Sequence, residues 1–361
     1  MKRGTILLVI LVLLLAACAP AAETESPPVQ ETPQVENGGE RRTLTVMTHD
    51  SFAASEEVLQ AFEEEHNVDV QILTAGDAGS ALNRAILSRG NPLADVFYGV
   101  DNSFLSRALD EGIFEPYESP LLADIPDEFE LDPTHHALPV DFGDVCFNYD
   151  KAYFEEAGLE PPQHIEDLVR EEYRSLTVVE NPATSSPGLS FLLATIGHFG
   201  EDGYLEYWQG LVENDLLVVN DWETAYYGEF TRAGGSRPVV LSYATSPPAE
   251  VIFAEQPMDE PPTGVITADG SCFRQVEFVG ILEGTQNRDL AERWVDFMLS
   301  PTFQEDIPLQ MFVIPVNENA ELSGVFAEFL ITAENPAEVS PEEISANREA
   351  WIQAWTDTVL R

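Results

Sequence analysis

Basic residues are scarce in this chain: 17 Lys and Arg stand against 64 Asp and Glu, a formal net charge of -47. Nucleic acid is excluded as a partner on that ground, because phosphate binding draws on clustered Lys and Arg. Most of the carboxylates are expected to be solvated surface that keeps the protein soluble, so the charge favours a cationic ligand only weakly. Cysteine is nearly absent, with three in 361 residues, and two of them with no nearby His do not make a tetrahedral metal set. No Walker pattern, His-Glu-x-x-His helix or Ser/His/Asp order appears, which argues against an NTPase or an exported enzyme. His135-His136 does not repair this, since adjacent side chains on a strand point to opposite faces; a loop pair is expected. No internal repeat is present.

Long apolar runs are missing too, except at the start. Met1-Lys2-Arg3 precedes an apolar run over 6–15 and then Leu15-Ala16-Ala17-Cys18. A basic start, a short apolar core and small residues before a cut site describe an export signal, too short to span a membrane as a mature helix. Cys at the cut site makes it a lipobox over 1–18, with Cys18 the lipidated N-terminus; a chance Cys in an ordinary signal is the plain alternative. Residues 19–42 are rich in Pro, Glu, Thr and Gly and are expected to form a disordered tether. These features place the protein on the outer face of a bacterial cytoplasmic membrane, as a lipoprotein, or in the periplasm. Cys146 and Cys272 remain, and an exported pair either forms a disulfide or stays as two buried thiols.

More than 300 residues follow the tether, enough for two domains. Strand-like runs over 43–50, 68–73 and 93–100 alternate with helical patterns over 56–65, 81–89 and 104–111, which indicates a mainly parallel α/β sheet. The pattern repeats with strands over 176–179, 216–219 and 238–243 and helices over 189–198, 203–213 and 221–230. An extended run over 270–282 precedes helices over 289–299, 301–307 and 341–360. In such sheets ligands bind beyond the carboxyl ends of the strands, where Asp50-Ser51, the loop Gly76–Ser80 and Asp101-Asn102 fall.

The stretch Leu138-Pro139-Val140-Asp141-Phe142-Gly143-Asp144-Val145-Cys146-Phe147-Asn148-Tyr149-Asp150 organises the rest. It reads as a strand, yet a carboxylate in a buried run must find partners or shift its pKa. Gly143 lets another group approach the backbone. A connecting strand with Asp141 facing a cleft is one reading; a core strand with Asp141 capping a turn is the other.

Several blocks resemble the periplasmic thiamine-binding proteins of ABC importers, within the type II solute-binding superfamily. They are Thr48-His49-Asp50-Ser51-Phe52, Leu82-Asn83-Arg84, Ala94-Asp95-Val96 with Gly99-Val100-Asp101-Asn102, and Asp141-Phe142-Gly143. Further on come the run 181–189, Asp221-Trp222-Glu223-Thr224-Ala225-Tyr226, Leu241-Ser242-Tyr243-Ala244-Thr245-Ser246-Pro247, Ser300-Pro301-Thr302-Phe303-Gln304, and Arg348-Glu349-Ala350-Trp351-Ile352 with Trp355. The resemblance covers the chain from Thr43 onward. It implies a two-lobe periplasmic-binding-protein-like fold of type II, with mixed sheets flanked by helices and lobes joined by crossing strands. Lobe one would comprise 43–139 plus 275–361, and lobe two 140–274. It further implies a monomer that needs no cofactor or metal, does no chemistry, and delivers thiamine or a thiamine phosphate to a membrane permease.

Thiamine carries a permanent cationic ring, an aminopyrimidine and a hydroxyethyl tail. Trp222, Tyr226 and Tyr243 are the aromatic candidates, the first two sharing a helix face at a spacing of four. The resemblance carries pocket roles to Trp222 and Tyr243, whereas core packing is the plain alternative. A ring cation on an aromatic face gains ~0.5–2 kcal/mol. Asp50, Asp101 and Asp141 are the carboxylate candidates, each worth ~4 kcal/mol at about 4 Å before desolvation; helix capping is the alternative for Asp50 and Asp101. Ser51 adjoins Asp50. Thr184, Ser185 and Ser186 open a helix and, with Gly76–Ser80, are candidates for the tail or a monophosphate. Neither loop holds Lys or Arg, which disfavours a diphosphate. Where the family has a Trp after the Ser300-Pro301 block, this chain has Met311-Phe312, so Phe312 is expected to supply a smaller ring face. Adjacent Tyr226-Tyr227 keeps an Fe(III) ligand open, and carboxylates with aromatics keep a polyamine open.

Overall fold

The computed structural model describes residues 41–322 and 324–361. The leader, Cys18 and the tether up to residue 40 lie outside the described residues. Among those described, no helix is long and apolar enough to cross a membrane.

Two parallel strand groups flank an antiparallel centre. β1 (Arg42–Thr48), β2 (Val68–Thr74) and β3 (Val96–Asp101) form the first group, linked by the helices Glu56–His66 and Ala78–Leu87. Local chemistry bounds these helices. The Ser55 hydroxyl accepts from Val58 N at one start, and Asn67 closes that helix in the left-handed conformation. The short β4 (Phe114–Glu115) precedes β5 (Leu138–Asp150), the long strand expected from its composition. β6 (Thr177–Glu180), β7 (Leu217–Val219) and β8 (Val239–Tyr243) make the second parallel group. β9 (Thr263–Ile266), β10 (Phe273–Leu282) and β11 (Ile314–Pro315) complete the sheet. The order is β2-β1-β3-β10-β5-β8-β6-β7, with β4 on β10 and both β9 and β11 on β5. β10 and β5 pair antiparallel with each other and with their outer neighbours, so together they carry the sheet from one parallel group to the other.

Helices cover the sheet where their apolar faces demand it. Ser186–Phe199 is buried nearly throughout its first three turns, as a helix apolar on all sides must be. The C-terminal helix Pro341–Val359 starts with a Ser340/Glu343 capping box and packs across elements from both halves of the chain. Its Trp355 meets Trp208 edge-on at 5.5 Å, and its Arg348 lies over the Phe104 ring at 4.9 Å. The helix expected over 301–307 is instead two single turns, Pro301–Gln304 and Ile307–Gln310. Pro308 has no N–H to extend the first turn into the second. The helix expected over 221–230 takes the wider π form over Thr224–Glu229.

Cys146 on β5 and Cys272, the residue just before β10, are joined in a disulfide, which settles the choice between a bridge and two free thiols. Phe273 pairs with Val145, so the bridge sits on neighbouring strands. It closes a loop with a sequence separation of 126 residues. Crosslinks of this reach restrict the unfolded chain and typically contribute about 2–5 kcal/mol. The Cys146→Ser/Cys272→Ser protein is expected to lose that much stability in urea denaturation, and reductant should then leave its midpoint unmoved.

Candidate functional site

The carboxyl ends of both parallel groups converge on one cavity of about 880 Å³, within the ~300–1,000 Å³ usual for small-molecule sites. His49, Asp50, Ser51 and Phe52 follow β1, and Asp77 follows β2. Ser186 follows β6, Asp221 and Trp222 follow β7, and Tyr243 ends β8. Gln275 and Glu277 of β10 supply the floor, and Phe312 closes one side. Six carboxyl residues line the space, Asp50, Asp77, Asp221, Glu223, Glu250 and Glu277, against His49 and Arg232 as the basic ones.

One wall is aromatic. Trp222 and Tyr226 stack at 5.2 Å with planes 17° apart, and Tyr227 meets both edge-on. The π turn carries Tyr226 and Tyr227, and Trp222 just precedes it; this helix form recurs at functional sites. Hydrogen bonds hold them: Trp222 Nε1 donates to Ser242 Oγ at 2.9 Å and Tyr226 OH to Glu250 Oε1 at 2.9 Å. Tyr243 lies across Gly143, where a Cβ would stand 2.9 Å from Tyr243 Cδ1. The glycine in the organising strand thus admits this ring, and its hydroxyl donates to Gln275 Oε1 at 3.3 Å. Tyr227 and Phe253, 58% and 59% exposed, flank the mouth. Phe312 meets Phe253 edge-on at 5.3 Å.

At the floor, three carboxyl groups stand level across three adjacent strands: Asp101 and Asp141 both pair with Glu277 in register. Like charges so placed repel. Tyr98 OH lies 2.6 Å from Asp141 Oδ2 and 2.9 Å from Glu277 Oε2. A single phenolic hydrogen cannot serve both acceptors, so one carboxyl must bring its own. Burial, then the adjacent Glu277, pushes Asp141 well above the ordinary carboxyl range, which makes it the proton carrier. Burial also pushes Glu277 upward, but His49 at 3.5 Å and the surrounding donors hold it below its usual value, as a carboxylate. Asp101 is raised by burial while accepting hydrogen bonds from Ser103 and Ser186. Burial raises Asp77 to about 6.

Of the expected residues, Asp50, Ser51, Ser186, Trp222, Tyr226, Tyr243 and Phe312 share the cavity wall; Asp101, Asp141, Thr184 and Ser185 do not. Asp141 is fully buried off the cavity wall, where Tyr98 engages its Oδ2 while its Oδ1 has no hydrogen-bond partner among the described residues. Asp101 braces a contact between β3 and the Ser186 helix. Asp50 accepts from Gly76 N at 2.9 Å and caps no helix; Ser55 does that. The two loops expected to meet the ligand tail spend donors internally. Ala78 N binds Asp77, Ala183 N binds Asn181, and the Thr184 hydroxyl donates to Asn220 O. His49, Glu277, Gln275 and Glu250 line the cavity as well, although no sequence signal singled them out for it. Glu277, within Val276-Glu277-Phe278, carries the same signal that marked Asp141: an acid in a buried run.

Glu180 ends β6 fully buried, and neither carboxyl oxygen has a hydrogen-bond partner among the described residues. Burial drives its pKa well above the ordinary value. The folded state therefore keeps a proton that the unfolded chain releases near pH 4–5, roughly, and this stability is lost as pH rises toward the folded pKa. Glu180→Gln should raise stability over the parent more at about pH 8 than at about pH 5. Urea denaturation at both pH values checks this, and a pH-independent difference would show that Glu180 titrates as in the unfolded chain.

Residues 91–327 match the family model described as bacterial extracellular solute-binding protein. The chain is 33% identical over 325 residues to the thiamine-binding periplasmic protein of Escherichia coli (strain K12), covering 88% of this chain and 94% of that one. A solved structure described as a periplasmic thiamin binding protein superposes with a TM-score of 0.78 at 30% identity, covering 91% of this chain and 100% of that one. The ferric binding protein from Campylobacter jejuni shares the fold, with a TM-score of 0.71 at 19% identity over 87% of this chain and 99% of that one. Two parallel groups that meet over one cavity, together with these likenesses, make the chain a member of the bacterial extracellular solute-binding proteins, a family of carriers rather than enzymes.

Proposed function

We propose that this protein captures thiamine outside the cytoplasmic membrane and hands it to the permease of an ABC importer. The observation that carries the reading is the opening of Trp222 and Tyr243 onto one cavity whose wall holds six carboxyl residues. A flat organic cation gains from both features at once: ring faces attract it by ~0.5–2 kcal/mol each, and carboxylates compensate its charge. The relatives described as thiamine-binding support the same choice. Phosphate esters fit less well, because neither loop holds Lys or Arg and Ala78 N and Ala183 N are already engaged by Asp77 and Asn181.

In this reading 43–139 plus 275–361 and 140–274 act as two lobes that close on the vitamin about β5 and β10. Cys18 carries the lipid that holds a monomer at the membrane, and 19–42 is its tether.

Calorimetry with thiamine, its monophosphate, Fe(III) and spermidine tests the ligand. Thiamine is expected to bind most tightly, and tight binding of Fe(III) with none of thiamine would reverse the assignment. Trp222→Ala should weaken thiamine binding about tenfold or more while the protein stays folded. Lobe closure predicts a smaller radius of gyration in X-ray scattering when thiamine is added.

A further inference from the structure

His49 is the imidazole of the cavity, and its setting is unusual for a site that takes up cations. The ring lies against the backbone of Gly99, whose φ of +106° and contact leave no room for a side chain: a Cβ would stand 2.3 Å from His49 Cδ2. Tyr98 flanks it at 5.5 Å between ring centres. Its Nε2 stands 3.5 Å from Glu277 Oε1, whereas the other Glu277 oxygen accepts from Tyr98. The ionisable groups facing it are Glu277 from β10, Tyr98 and Asp101 from β3, and Asp77 from the loop after β2. Asp50, next in the chain, lines the same cavity, as does Arg232 from the second half. Burial, the largest influence, works against a charge on this ring, but Glu277 outweighs it and the protonated form is favoured beyond its usual range.

We propose that His49 carries a proton as the counter-ion of Glu277 in the unliganded protein and gives it up to solvent when an organic cation enters the cavity. The inference rests on the thiamine reading. Glu277 Oε1, which also accepts from Gln275 Nε2 at 3.3 Å, is the oxygen beside His49, and two positive groups beside it in a partly dry site repel each other. The incoming ring cation takes over the compensation of Glu277 and His49 becomes neutral. At no stage is the carboxylate left buried without a counter-charge. The neutral imidazole then has an acceptor nitrogen for an N–H of the ligand, which the imidazolium lacks. Affinity should rise with pH by up to about tenfold per unit while His49 is protonated in the free protein, and level off above that.

Asp77, which also lines the cavity and has a pKa of about 6, is the rival source of a released proton. The test is calorimetry of thiamine binding at about pH 6.5 in phosphate and in Tris, whose ionisation heats differ. The expected result is a difference in heat equal to about one proton released per thiamine, abolished in His49→Gln and retained in Asp77→Asn. No binding in either buffer removes the thiamine reading itself. Binding with equal heats per proton-independent event in both buffers overturns the exchange alone, as does proton release that persists in His49→Gln. Should that variant not fold or bind, ¹⁵N imidazole spectra of the unaltered protein decide: the His49 ring is expected to pass from imidazolium to neutral on saturation with thiamine, and an unchanged ring overturns the proposal.

Discussion

Asp101, Glu277 and Asp141 stand side by side across β3, β10 and β5, and the centre of the molecule depends on how their repulsion is relieved. Each has a different remedy. Asp101 is held by the hydroxyls of Ser103 and Ser186, Asp141 keeps its proton beside Tyr98, and Glu277 has His49. The remedies come from separate parts of the chain: Tyr98 on β3, Ser103 just after it, a loop after β1 and the start of a helix after β6. Removing any one partner would leave a buried carboxyl with an uncompensated charge or an unmade hydrogen bond, both costly away from water.

The same arrangement divides the acids into those that build and those that face the cavity. Asp101 and Asp141 stiffen the crossing between the two parallel groups, while Glu277 does this and also forms part of the floor. Above it, the stack of Trp222 on Tyr226 and the ring of Tyr243 offer flat apolar faces to whatever the floor attracts. Hydrogen bonds from each ring to Ser242, Glu250 and Gln275 fix the faces before any ligand arrives, so little order remains to be imposed on binding.

Periodicity made the strands and most helices legible. β5 and β10 stand out in the sequence as long apolar runs, and the glycine within β5, Gly143, marks the point where Tyr243 approaches. The failures have a common cause. Asp141 and Glu277 bear the same mark, an acid in a buried run, and nothing local says which of the two reaches the cavity. A bulge in the pairing next to Glu277 and the reach of Tyr98 decide that. Similarly, the loops at Gly76 and Thr184 have the composition of anion nests, but contacts with Asp50 and Asn220 occupy them.

Composition and pattern alone determined the class of the chain, the alternation of its strands and helices, and the kinds of side chain at each strand end. Those properties follow from local periodicity and from chemistry that each residue carries with it. Tertiary structure decided the pairing of Cys146 with Cys272, the burial of Asp141 beside Tyr98, and the approach of His49 to Glu277 at 3.5 Å. Each of these depends on strands far apart in the chain arriving at the same height in one sheet. Register of that kind is a property of the assembled sheet, and no single segment contains it.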